Sequence, residues 1–214
     1  MISNEPNKWI TGWQLWDVNQ YQIFRINNDG YAHLDGYPYT YIHDLETGLV
    51  ENNYGTILVG QATHGGAFGV SRGFISFDLS SFTVPTGLAI DTIVIMLYDV
   101  RATSVDTAFN LVLVSPDSIT PGTMVDTDYG VLGGETVSFS DPAAIITGAT
   151  SQGWITINLN TIGIDMITPG AVNSWGIRSD RDIASTQPTG GELITLDGKN
   201  TAYLPRLIIK LKNA

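Results

Sequence analysis

The chain has 214 residues, 43 % of them hydrophobic, and a charged fraction of 14 % against about 25 % in an ordinary soluble protein. It can bury a sizeable core, and it must cover its surface largely with Ser, Thr, Asn, Gln and Gly. A net charge of −11 and the absence of cysteine argue against nucleic acid as a partner and exclude disulfides and thiolate metal sites.

Met1 to Trp16 has no basic segment followed by an apolar run, so it does not read as a signal peptide. No stretch approaches the roughly eighteen apolar residues of a membrane span, and no polybasic run would dock on an anionic bilayer. The expected setting is a virion assembled from a cytoplasmic chain, or an extracellular or cell surface.

Residues 1–45 hold three of the five tryptophans, Trp9, Trp13 and Trp16, with Tyr21, Tyr31, Tyr37, Tyr39 and Tyr41. Asn27-Asn-Asp-Gly30 is a hairpin-turn signal between Gln22–Ile26 and Tyr31–Leu34. Residues 1–40 are therefore expected to form an arm plus a hairpin, too small to fold alone. Residues 41–214 are expected to form the main module.

Beyond Tyr54 the chain reads as short strands. In Gly73–Leu79, Phe74, Ser76 and Asp78 share one face and Ile75, Phe77 and Leu79 the other. Ile90–Tyr98 is the apolar, β-branched run of a strand buried on both faces. Phe109–Val114, Thr136–Phe139, Trp154–Leu159, Trp175–Ser179, Leu193–Leu196 and Leu207–Leu211 complete about nine strands. Pro121-Gly122, Gly133-Gly134, Pro169-Gly170 and Asp197-Gly198 punctuate them, and only Ile162–Ile167 suggests a helical turn. The fold class is all-β: an antiparallel two-sheet sandwich, jelly-roll-like, with an N-terminal aromatic arm or hairpin. Its core is expected to contain Phe77, Ile93, Ile95, Leu97, Leu111, Leu113, Trp154, Ile157, Trp175 and Ile208.

Asn52-Asn-Tyr-Gly55 with Ile57-Leu-Val-Gly60, then Arg72-Gly-Phe-Ile-Ser-Phe-Asp-Leu-Ser80, then Ile90–Tyr98, and finally Tyr203-Leu-Pro-Arg-Leu-Ile-Ile209 together resemble the DNRLRE or disaggregatase-related β-sandwich modules. Asp128-Tyr-Gly-Val-Leu132 and Ile177–Ile183 with Pro188–Glu192 resemble segments of a phage and microbial surface-protein subgroup. The resemblance spans about residues 40–212. It implies a jelly-roll-like sandwich of the kind attached to adhesive or carbohydrate-active proteins. Ser115–Val131 lacks the tryptophans that many members carry there.

No catalytic residue stands out. His33, His43 and His64 lack zinc spacing, His64 is at most a lone loop base, and no nucleophile or phosphate-binding motif occurs. Asp126/Asp128 and Asp180/Asp182 are close in sequence, but a glycosidase pair must converge from separate strands. Arg178, Asp180, Arg181 and Asp182, with Glu192, read as an ion-pair network pinning a loop. The alternative is a calcium site at Asp180 and Asp182; no other cofactor is expected. Trp9, Trp13, Trp16, Tyr37, Tyr39 and Tyr41 suit packing over the sheet, a protein interface, or stacking on sugars. The expected function is a non-catalytic structural or adhesion module of a virion (a phage capsid or tail accessory protein) or cell surface, contacting like subunits or other surface proteins. The alternative is a carbohydrate-binding module of a secreted polysaccharide-active protein, with glycans as partners.

Overall fold

The computed structural model describes residues 8–11, 14–17, 21–52, 55–100, 105–115, 119, 124–141, 145–146 and 152–214, with backbone alone at 8–11, 14–17, 64 and 145. The elements in chain order are β1 (Lys8–Thr11), β2 (Gln14–Asp17), β3 (Tyr21–Tyr37), α1 (Tyr39–His43), β4 (Leu49–Asn52), β5 (Thr56–His64), β6 (Ala67–Asp78), β7 (Leu88–Asp99), β8 (Phe109–Val114), α2 (Asp128–Gly134), β9 (Ile145–Ile146), β10 (Gly153–Asn158), α3 (Thr161–Asp165), β11 (Val172–Ser179), α4 (Asp180–Ile183), β12 (Gly191–Asp197) and β13 (Arg206–Asn213). The chain is mostly β, as expected, and every strand pairing among the described residues is antiparallel. Strands β1 and β2 pair with each other as a separate two-stranded sheet, Trp9 opposite Trp16.

The hairpin expected across Asn27–Gly30 does not form. Strand β3 runs straight through it for 17 residues. Its first part pairs with β13 and its second with β6, and the register slips between Ile26 and Asn28 where the partner changes. A turn signal is a local preference, and two ready partner strands override it. Gly30 serves close approach instead of a turn: a Cβ there would lie 2.7 Å from the Glu51 carbonyl oxygen. Residues 21–37 thus belong to the sheet and are not an appended hairpin.

The pairings close a circuit, β3–β13–β7–β12–β5–β6 and back to β3, with β4, β10 and the β11–β8–β9 extension attached. Inward-facing apolar residues fill it, among them Ile57, Val59, Ile75, Phe77, Ile93, Ile95, Leu97, Leu111, Leu113, Trp175, Leu207 and Ile209. Strand alternation decides which residues enter. In β6, Ile75 and Phe77, followed by Leu79 just past the strand, pack in this core and Phe74 in a second one on the opposite face. In β7 Ile93, Ile95, Leu97 and the terminal Asp99 are buried, and the alternate residues Val94, Met96 and Tyr98 are partly covered. The expectation of burial on both faces is corrected accordingly. Trp154 and Ile208 also leave the expected core: Trp154 is 38 % exposed and Ile208 half-buried. Each has the wrong parity, because Ile155 and Ile157 in β10, and Leu207 and Ile209 in β13, point inward.

Thr136–Phe139 forms no strand, and α1, α2 and α4 occupy segments where no helix was expected. The second core joins Val70 and Phe74 of β6 to Tyr39 and Ile42 of α1 and to Tyr129 and Leu132 of α2. These short helices cap the outer face of β6. Such a cap is where polar residues on the even positions of β6, above all Arg72, come to be buried.

Candidate functional site

Arg72 is fully buried in β6, on the face shared with Val70 and Phe74. Arg178 of β11 lies one step beyond the Gly73–Ile177 pairing and on the same side. Two buried guanidinium groups on neighbouring strands require an anion between them. Asp182 supplies it. Ser179 accepts the Asp182 amide at 3.0 Å and so starts helix α4 in the capping arrangement that Ser-Asp-Arg-Asp favours. That first turn carries the Asp182 carboxylate inward.

The carboxylate is fully used. Arg72 Nε donates to Oδ2 at 3.0 Å and Nη2 to Oδ1 at 3.0 Å, a bidentate clamp. Arg178 Nε donates to Oδ2 at 2.6 Å. Burial alone would raise the Asp182 carboxyl; the two arginines outweigh it and hold the group down at about 2. Arg72 spends its other donors on the carbonyls of Tyr129 and His43, both at 2.9 Å, and lies 4.2 Å above the Tyr129 ring. Arg178 Nη1 donates to the carbonyls of Gly133 and Glu135. Burial pushes the Tyr129 hydroxyl up to about 12, and it donates to the Ile42 carbonyl at 2.7 Å. The His43 nitrogens face the Asp44 carboxylate and the Asp182 carbonyl oxygen.

A second chain of contacts runs beside the first. Gln61 of β5 and Glu192 of β12 are cross-strand partners, both fully buried, and the Gln61 amide donates to Glu192 Oε2 at 2.9 Å. Arg181 donates to the same oxygen at 2.6 Å, and the Tyr39 hydroxyl donates to Gln61 Oε1 at 3.1 Å. Burial, with Asp182 nearby, raises the Tyr39 phenol. Two atoms here, Arg178 Nη2 and Glu192 Oε1, have no hydrogen-bond partner among the described residues.

Arg178, Asp182, Arg181 and Glu192 thus divide into two adjoining pairs. Asp180 turns away and accepts from Asn110, through its backbone N–H at 2.9 Å and its side chain at 2.7 Å. Asp182 faces the two arginines and Asp180 faces Asn110, so the two carboxylates point to different partners. Among the described residues no three His, Asp or Glu side chains gather as a metal site. Tyr39 is buried and is not available to a surface ligand. Tyr37 and Tyr41 are exposed, with ring centroids 5.4 Å apart. Trp13 and the side chains of Trp9 and Trp16 lie outside the described residues. Arg72, Tyr129, His43 and Gln61 were missed. The available signal was Arg72 itself, a cation inside an otherwise apolar strand.

Parity error hid another surface. Trp154 of β10, Tyr98 of β7 and Tyr203 just before β13 form an aromatic corner on the outer side of the sheet. Tyr98 and Tyr203 stack at 4.0 Å and 15°, and Trp154 stands nearly perpendicular to both, at 78° and 88°. The Arg206 guanidinium lies 4.9 Å above the Trp154 ring.

A cleft of about 470 Å³ lies beside the ionic core, lined by His43, Asp44, Glu46, Gly130 and Gly133 among others. No protein-family model matches this sequence, and no curated protein matches it.

Proposed function

We propose that this chain is a non-catalytic structural and adhesion module, a jelly-roll-like sandwich at the surface of a virion or a cell, contacting like subunits or other surface proteins. The observation that carries the reading is the commitment of the charges in the ionic core around Asp182. Asp182, the carboxylate most shifted by arginines, spends both oxygens on structural bonds, while large aromatics stand outside on the sheet and beside α1. A general acid or base needs a reachable, correctly tuned group, and a carboxyl held near 2 between two arginines is neither. The motif resemblance and the charge-poor surface point the same way.

The N-terminal strands support contact with a neighbour. A lone two-stranded hairpin is marginal in water, and β1–β2 pairs with no other described strand. Two facing tryptophans can anchor it on another chain. Sedimentation of the full chain and of residues 21–214 tests this. The expected result is an oligomer for the former and a folded monomer for the latter; a full chain monomeric at high micromolar concentration contradicts it. The second reading, a carbohydrate-binding module, is favoured by the Trp154 corner.

A further inference from the structure

The outer face of β10, β7, β13 and the start of β3 combines flat aromatics with unpaired cations. Trp154 and Tyr203 are 38 % and 46 % exposed, and Thr156 and Asn158 follow Trp154 on the same exposed side of β10. Strand β10 pairs with β7 alone, so this row lies along an edge. Arg206 of β13 sits directly opposite Arg25 of β3, and both are exposed. Like charges placed opposite each other on adjacent strands destabilise a sheet.

The scarcity of cations makes the pair informative. The chain has 10 basic residues against 21 acids. Among the described residues Arg72 and Arg178 bind Asp182, Arg181 binds Glu192, and Lys210 and Lys212 bind Asp91. Lys199 donates to the Asn28 side chain; Arg25 and Arg206 have no acid partner among the described residues, although acids are abundant. A face that accepts this repulsion is built for an anion. Trp, Tyr and Arg also anchor protein interfaces, but two like charges set opposite each other favour a partner that is itself anionic. A nucleic acid would meet the field of a −11 molecule.

We propose that this face binds an acidic saccharide: the Trp154–Tyr203 corner stacks on the C–H face of a pyranose ring, and Arg206 with Arg25 receives its carboxylate. Thr156 and Asn158 offer hydrogen bonds to the hydroxyls of the next sugar along β10. The proposal rests on the adhesion reading and gives it a ligand class.

The test uses the full chain and three probes: an oligogalacturonate, a neutral cello-oligosaccharide of equal length and a single-stranded oligothymidylate, each titrated by calorimetry and tryptophan fluorescence. Oligogalacturonate is expected to bind most tightly and to weaken with added salt. Trp154→Ala should reduce its affinity at least about tenfold and remove the fluorescence change. The double variant Arg25→Gln/Arg206→Gln should lose about tenfold for the acidic sugar with little change for the neutral one. Lys212→Gln, which removes a cation already paired with Asp91, should leave binding unchanged. Circular dichroism of each variant establishes that it is folded. No binding of oligogalacturonate, binding indifferent to these substitutions, or tighter binding of oligothymidylate overturns the proposal. Sedimentation behaviour is independent of these outcomes, so failure here is distinguishable from failure of the surface-module reading.

Discussion

Arg72 concentrates the energetics of the second core. Removing it leaves Asp182 buried with Arg178 as its remaining cation, and strips donors from the carbonyls of Tyr129 and His43. Arg72→Ala is expected to cost about 3–5 kcal/mol in a urea melt, and Arg72→Lys should not restore it, because a point charge cannot make the bidentate clamp. The Asp182 carboxyl also gives a pH signature. Its folded pKa lies below its unfolded value, so its contribution is present above about pH 4 and is lost as pH falls toward 2. The stability gap between the native chain and Asp182→Asn should therefore shrink by about 2 kcal/mol between pH 5 and pH 2. A gap independent of pH would show that the carboxylate is not held by charge. At this scale the sequence was partly legible. Arg178 and Asp182 stand four apart in a charge-rich run, and one turn can bring them together. Arg72 comes from more than a hundred positions away, and only sheet pairing makes it their neighbour.

Among the elements, the strands with clean alternation were readable and the exceptions follow from parity and partners. Trp154 and Ile157 differ by three positions, so both cannot face one core from one strand, and Ile157 is the buried one. The Asn27–Gly30 signal failed because β13 and β6 both compete for the same strand. Helices α1, α2 and α4 are only four to seven residues long, too short for a periodic pattern, and tertiary packing defines them. Strand β5 offers a direct test of the pairing. Gly60 has φ +121°, and a Cβ there would lie 2.0 Å from the Glu192 carbonyl oxygen. Gly60→Ala is expected to cost at least about 3 kcal/mol in chemical denaturation. An effect below 1 kcal/mol would mean that β5 and β12 are not this close.

For the whole molecule, composition foretold an acidic, charge-poor, β-rich chain, and the fold adds where its few cations go. Among the described residues most are spent internally or on local acids, Lys199 donates to Asn28, and Arg25 and Arg206 share one exposed face with the aromatic corner. On the function proposed above, this chain recognises a ligand without transforming it. The most direct test is to incubate the full chain with polygalacturonate, measure retention on the polymer, and follow polymer size and new reducing ends in the same sample. Retention with unchanged chain length and no new reducing ends is the expected result. Shortening of the polymer in proportion to the protein added, abolished by altering any side chain of the cleft beside the ionic core, would contradict it.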